Sequence, residues 1–530
     1  MNQDLIVAVL TTRTNSGGTK KTTKLQLRHS RHGRSYVIDV DVSIDNSKGF
    51  NCLTVANSGP FSLQKPALTR RIMHLTTQIV AITVIIAVAA AQPIVKVAKA
   101  LGDHGYNALR ISVITDSDSE KSETGTGPFT YDAPFRWKWP QYHLQSYLAK
   151  GLIDGPQMVD IGNGATMNIS LPSKGSGARG IVFGDPCVEP DFIGCIHFTD
   201  GSTMQTRLPR LVNAVAASTD WRAIIGDNFY DQSGDFTGRF YRALTLEAQS
   251  KIEITALGNH DLWRPGFPQA RARNDSYGNG YLQFYGQDTV LSRDDSTGGT
   301  YMDLSVDPNV YVEESDQNKL PASKGRPDSI PPAKNFLSYH TVGNTGFISY
   351  SGAHEWDSYE GELEKACHFF DQQGQVSEEA APKVIILAGH WNQGHLGCQK
   401  GMDVPSVYER LRTLPGCDGG KLRYVAGHVH CNEVMQWADG DVPYEGSKGD
   451  PIGYMLGGTG VRGENCNTFG FAYFSTTDDR ELVVGFTMGT DKGEEDAPPD
   501  VFEEAIACFE DKGVANCLEY GTIWRDSSLE

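Results

Sequence analysis

Positive charge is scarce over most of this 530-residue sequence. Residues 1–71 hold eleven Lys and Arg against four Asp and Glu. The remainder therefore carries 47 − 11 = 36 basic and 65 − 4 = 61 acidic residues, a balance of −25 within a total of −18. Such a surface repels polyanions, which excludes nucleic acid as a bulk partner and favours a small phosphorylated substrate met by local cations. Internal repeats are lacking too, so the chain is not read as a repeat array. Long hydrophobic runs are nearly missing. The exception is Ile79–Ala91, IVAITVIIAVAAA, which follows Arg70 and Arg71, precedes Gln92-Pro93 and carries Ala89 and Ala91 at the spacing of a cleavage site.

That segment reads as a signal peptide, and uncleaved, over residues 72–91, as a signal anchor. Met73 offers an alternative start that makes the segment an ordinary leader and leaves the basic extension 1–71 untranslated. If translated, the extension stays cytosolic and the rest of the protein lies outside a membrane. Ten cysteines, nine of them after the apolar segment, suit the oxidising secretory route: extracellular, vacuolar, lysosomal or lumenal. Cys508 with Cys517, and two of Cys398, Cys417 and Cys431, are the expected bridges, with at least one thiol left over. Asn168-Ile-Ser and Asn274-Asp-Ser are glycosylation sequons.

Residues 92–178 alternate β-favouring runs with Gly, Pro and Asp turns and are expected to form a small β-rich domain. Residues 179–490 change pattern. Short apolar runs at Ile181–Phe183, Ala223–Ile225, Ile252–Leu257, Phe347–Tyr350, Val384–Leu387 and Tyr424–Ala426 read as buried strands separated by helix-compatible segments, an α/β grammar. Gly286–Lys334 reads as an inserted surface excursion, and residues 491–530 as a tail tied by a disulfide.

Most of these runs end in the same way. The strand ends read Gly184-Asp185, Gly226-Asp227-Asn-Phe-Tyr230, Gly258-Asn259-His260-Asp261, Gly389-His390 and Gly427-His428-Val-His430. Each alone has a bland explanation, since Gly-Asp is a common turn and a lone histidine is usually structural. Together they are not explained by turns, which have no use for His or Asn at successive strand ends. Hard oxygen donors with imidazoles, at the end of a sheet where ligands bind, are what a pair of metal ions requires. In His428-Val-His430 alternate side chains of an extended segment face one way.

The ordered set GD, GDxxY, GNHD, GH and GHxH resembles the calcineurin-like metallophosphoesterases. Gly226–Tyr230 is similar to the purple acid phosphatases within them, and so is the Gly453–Gly460 strand and glycine turn. The resemblance spans roughly residues 180–480. It implies a four-layer α/β/β/α sandwich with Asp185, Tyr230 and His430 on one metal, Asn259, His390 and His428 on the other, and Asp227 bridging. It also implies His260 as the acid that assists the leaving group, Fe(III) with Fe(II), Zn or Mn as cofactor, and hydrolysis of phosphate monoesters by a metal-bound hydroxide. A phosphodiesterase or nucleotide pyrophosphohydrolase uses the same ligands, and a non-catalytic secreted binding protein could retain the scaffold.

Two departures bear on substrate. Pro186-Cys187 follows Asp185, where Cys187 is open to three readings: an added ligand, a partner of Cys195, or a packed residue. Trp391-Asn392 follows His390 and alters the wall there. Asp116 and Asp118 read as a turn, His354 as a substrate contact, His395 as a weaker candidate, and Phe135–Trp139 as an aromatic platform or an inter-domain packing surface.

Overall fold

A computed structural model describes backbone strands within residues 5–57. From residue 93 to 529 it describes all but 117–127, 130, 135–141, 163, 189–193, 232–233, 262–278, 285–287, 291–332, 378–380, 419, 439–448, 464–465 and 493–498. The apolar segment 79–91, Asn274, Asp118 and Phe135–Trp139 lie outside the described residues, as does most of Gly286–Lys334. No helix among the described residues is long and apolar enough to cross a membrane.

The chain divides into two compact units, Met1–Ala87 and Val88–Glu530. The first is a meander of β1 (Leu5–Thr14), β2 (Lys20–Arg31), β3 (Arg34–Asp45) and β4 (Cys52–Asn57), paired antiparallel in that order.

The second unit is mixed α/β and contains two large sheets. Its strands are β5 (Ile94–Lys99), β6 (Ala108–Asp116), β7 (Tyr131–Pro134), β8 (Tyr142–Lys150), β9 (Gly155–Gly162), β10 (Ala165–Leu171), β11 (Arg179–Phe183), β12 (Trp221–Ile225) and β13 (Ile252–Ala256). They continue with β14 (Ser338–Val342), β15 (Thr345–Ser349), β16 (Val384–Ala388), β17 (Leu422–Ala426), β18 (Asn432–Trp437), β19 (Pro451–Leu456), β20 (Thr468–Ser475), β21 (Arg480–Thr490) and β22 (Gly521–Ser528). One sheet runs β22-β21-β20-β11-β12-β13-β5-β6-β8-β7 and is parallel from β11 to β5. The other runs β14-β15-β16-β17-β19-β18 and is parallel from β15 to β19. Every apolar run expected as a strand is one.

Alternation along these strands sorts their side chains into separate cores. Val182, Ala223, Ile225 and Ile254 of the first sheet share a core with Phe347, Ile386, Ala388 and Val425 of the second. Their neighbours Ile181, Phe183 and Ile224 pack instead with Leu208, Leu211 and Val215 of helix α1 (Met204–Ala216). Ile348, Ile385, Leu387 and Tyr424 pack with α2 (Glu362–Val376) and α3 (Val404–Leu411). Burying each such side chain is worth about 1.5–3 kcal/mol. The helices start where local chemistry favours it: Thr203 and Thr206 form a capping box on α1, and the Asp403 carboxylate accepts the Ser406 N–H at 3.0 Å on α3.

Two expectations of domain organisation are corrected. Residues 92–178 are not a separate domain, because β5, β6, β8 and β7 extend the ten-stranded sheet beyond β13; only β9 and β10 form their own ribbon. A buried charge cluster supports the seam: Lys96 on β5 and Arg222 on β12 both contact the Glu253 carboxylate on β13 at 2.6 Å. Residues 491–530 are not an appendage either. Helix α4 (Phe502–Lys512) contributes Phe502, Ile506 and Phe509 to the core with α1, and β22 closes one edge of the large sheet. Within the expected excursion, Asp288 is buried, since it pairs with Arg110 at 2.7 Å and accepts the Leu101 N–H.

Four disulfides join Cys187 to Cys195, Cys367 to Cys417, Cys431 to Cys466 and Cys508 to Cys517. The tail bridge is as expected, and Cys187 resolves to the second of its three readings. The expected pairing among Cys398, Cys417 and Cys431 is wrong, since the latter two have other partners and Cys398 keeps a free thiol. Such bridges point to an oxidising, secretory-type compartment. Asn168 is exposed on β10 between buried Met167 and Ile169, accessible to a glycosyltransferase.

Candidate functional site

The parallel strands β11, β12, β13, β16 and β17 all present their carboxyl ends to one place. Asp185 follows β11, Asp227 and Tyr230 follow β12, Asn259 and His260 lie in a 3-10 turn after β13, His390 follows β16, and His428 and His430 follow β17. The turns are tight enough to force unusual backbone. Asp185, Asp227, Phe229, Tyr230 and His428 all adopt positive φ, between 52° and 74°. Conformations of this kind cost about 1–3 kcal/mol each and persist where surroundings over-determine them, which is common at functional sites. Two glycines allow the close approach. A Cβ on Gly258 would stand 2.2 Å from the Asp227 carboxylate, and one on Gly226, at φ 97°, 2.5 Å from the His390 ring.

The donor atoms fall into two sets. In the first, the Tyr230 hydroxyl lies 3.1 Å from Asp185 Oδ1 and 3.0 Å from His430 Nε2, and the last two are 3.5 Å apart. In the second, Asn259 Oδ1 lies 3.2 Å from His390 Nε2 and 2.9 Å from His428 Nδ1, with the two imidazole nitrogens 3.2 Å apart. Asp227 Oδ1 stands 3.4 Å from His390 Nε2 and accepts the His260 backbone N–H at 2.7 Å. Its charge also acts on Asp185, Tyr230 and His430 of the first set. Donors bound about 2.1 Å from one ion stand roughly 3.0–3.4 Å from one another, close to the 3.0–3.5 Å of the first set and the 2.9–3.2 Å of the second.

Each imidazole is oriented from behind. His390 Nδ1 donates to the Ile225 carbonyl at 3.0 Å, which aims its Nε2 at Asn259 and Asp227. The Arg462 backbone engages the His430 ring. His428 Nε2 lies 3.0 Å from His395 Nε2, whose Nδ1 in turn faces the Gln393 carbonyl. Hydrogen-bonded to backbone in this way, His395 accepts from His428 and leaves the His428 Nδ1 lone pair facing the site. Asn259 Oδ1, His428 Nδ1 and the Asp227 carboxylate thus converge on His390 Nε2, where positive charge, a proton or a bound cation, satisfies them.

Electrostatics agree. Burial acts first on every buried group here. It raises Asp185 well above the usual carboxylate range, with Asp227 adding to the effect. Burial also opposes the charge on Asp227, but His390 and His260 outweigh it and hold that carboxyl low. His390 is lifted to about 9, because Asp227 and Asp185 overcome the burial that would lower it. Burial lowers His428 to about 3 and His430 to about 4, so both are neutral, as ligands must be. A buried histidine that binds a proton so tightly marks a shortage of positive charge.

All eight residues singled out along the strand ends thus come together, with His260 half-buried and its ring 4.9 Å from that of Tyr230. The His354 ring lies 5.2 Å from that of Phe336, tilted against it, and edge-on to Tyr359. Asp116 closes β6. His395 deserved more weight than its sequence context suggested: its signal was the pattern His390-Trp-Asn-Gln-Gly-His395, a second imidazole in the loop leaving the same strand. Asp261 was also missed. It accepts the Asn228 N–H, the Asn228 amide and the Gly258 N–H at 2.7–2.8 Å, locking two donor-bearing turns together.

A scan against models of known protein families finds no match for this chain, and neither does a search of curated proteins. The chemistry of the site must be argued from its atoms.

Proposed function

We propose that this protein is a two-metal phosphoesterase of the calcineurin-like type, similar to the purple acid phosphatases, that hydrolyses small phosphate monoesters. The observation that carries the reading is the split of donors into two sets of three, with Asp227 against His390 and its charge acting on both sets. Asp185, Tyr230 and His430 would hold one ion, and Asn259, His390 and His428 the other. The separate cores between the two sheets, and between each sheet and its helices, support a four-layer α/β/β/α sandwich. A ferric ion beside Fe(II), Zn or Mn suits the donors, because the Tyr230 phenolate is a hard anionic ligand while neutral imidazoles accept borderline divalent ions.

When bound, the two ions would neutralise the phosphoryl oxygens and lower the pKa of a water. The chain supplies the rest. Tyr230 is raised well above its ordinary pKa by burial and then by Asp185, so its hydroxyl ionises only against strong positive charge. That selects a highly charged ion at the first set. His260, half-buried beside Tyr230, is placed to pass a proton to the leaving oxygen. His395 orients His428 and lies at the same mouth. Asp261 keeps the Asp227 and Asn259 turns in register.

The test is a substrate panel on the purified full chain. Turnover of a chromogenic phosphomonoester, abolished by Asp227→Asn, is the expected result. Turnover of a diester alone would move the assignment to a phosphodiesterase, and inactivity with full metal loading would make the chain a binding protein.

A further inference from the structure

The four disulfides are not spread evenly with respect to the two donor sets. Cys187 lies two residues after Asp185, is fully buried, and packs with Tyr230 and Val461. Cys431 directly follows His430. Both bridges grip the same stretch of chain, the glycine turn from Gly457 to Cys466. Around Cys187–Cys195 the Cys187 N–H donates to the Thr459 carbonyl, the Ile196 N–H to Gly460, and the Arg462 N–H to Gly194. Cys195 also pairs with Val461 as a β-bridge. Around Cys431–Cys466 the Gly457 N–H donates to the Cys431 carbonyl. This clamped stretch carries the Arg462 backbone that engages His430, and Gly463, where an added Cβ would stand 3.2 Å from the His430 Cβ and 3.5 Å from its ring Nδ1.

The second donor set is held differently. His390 is oriented by the Ile225 carbonyl at the end of β12, His428 by His395, and Asn259 by the turn that Asp261 locks. Cys367–Cys417 lies in the core with α2 and α3, and Cys508–Cys517 in the core with α4. Among the described residues, the hydrogen bonds of these bridges run to Leu414, Gly513, Val514 and Glu519, away from the donor turns.

We propose that Cys187–Cys195 and Cys431–Cys466 are positioning elements for the Asp185, Tyr230 and His430 set alone, so that opening them releases the ion held there and spares its neighbour. This rests on the two-metal reading given above. Opening a bridge consumes two electrons and two protons and yields two thiols; Cys195 and Cys466, each partly exposed, are where a reductant would enter.

The experiment reduces the oxidised, metal-loaded full chain under native conditions with a water-soluble phosphine, which is itself oxidised to the phosphine oxide. Bridges opened are assigned by alkylation and peptide mapping, while bound metal and visible absorption are followed. The expected result is a fall from two ions to one as either of the two bridges opens, together with loss of the phenolate-to-iron band. Opening of the other two bridges should release neither ion. Loss of both ions together, or retention of both, would overturn the proposal. The variants C187A/C195A and C431A/C466A, compared with C508A/C517A, supply a second reading: one ion retained in the first two and two in the third. A chain that binds no metal at all would instead refute the two-metal reading.

Discussion

The two donor sets lie at the same end of the sheets, yet they are supported by different means. The set of Asn259, His390 and His428 stands on strand ends in the middle of two buried sheets, and its imidazoles are aimed by a strand-end carbonyl and by His395. The set of Asp185, Tyr230 and His430 also follows strand ends, those of β11, β12 and β17, and has in addition a glycine-rich stretch fastened by two disulfides. Both halves rest on the sheets, and one adds covalent cross-links. On the two-metal reading, the tyrosine side is the one that reduction should undo.

The comparison can be broken most severely at the residue the halves share. Asp227→Asn should lower kcat for a phosphomonoester by about three orders of magnitude, the scale of losing a fixed charge that stabilises a transition state, and steady-state kinetics with metal analysis would check it. Next come substitutions confined to one side. Tyr230→Phe should abolish the phenolate-to-iron absorption and deplete the first ion while the second remains, whereas His428→Ala should deplete the second and keep the band. His395→Ala acts one step further out. It should weaken the second ion's affinity by roughly 10–100-fold, the usual effect of removing a partner behind a ligating histidine, read by competition with a chelator.

The smallest effect on the site, though not on the fold, is expected from Glu253→Gln. Burial opposes the Glu253 charge, but Lys96 and Arg222 hold its carboxyl down to about 2. A folded pKa below the unfolded one contributes stability that is present above about 4.5 and is lost as pH falls towards 2. Removing the charge leaves two buried cations unpaired and should cost about 3 kcal/mol near neutrality. The gap between variant and wild type should close as pH falls from 4.5 to 2, with the ratio of the two ions unchanged. Denaturant melts across pH measure it.

Much of the site was legible in the sequence because each donor lies within four residues after a glycine that ends an apolar run, and both signals are local. The six buried strands were legible for the same reason. What escaped was non-local. Residues 92–178 look like a separate β domain because their turns and runs are self-contained, but β5 reaches the large sheet through a single backbone register pair, Val97 with Ile252, and through the Lys96 and Glu253 contact. Neither can be read from spacing. Cys367 and Cys417 meet across fifty residues, and Cys431 and Cys466 across thirty-five, so the nearest-neighbour pairing expected among Cys398, Cys417 and Cys431 failed. His395 was undervalued because its role depends on where the loop returns after Trp391, which anchors it through a hydrogen bond to the Leu396 carbonyl.

The most direct test of the central claim is the metal content of the purified full chain, measured alongside that of Tyr230→Phe and His428→Ala. Two ions per wild-type chain, with each variant losing a different one, is the predicted result. A metal-free wild type, or a single ion lost equally in both variants, would contradict it.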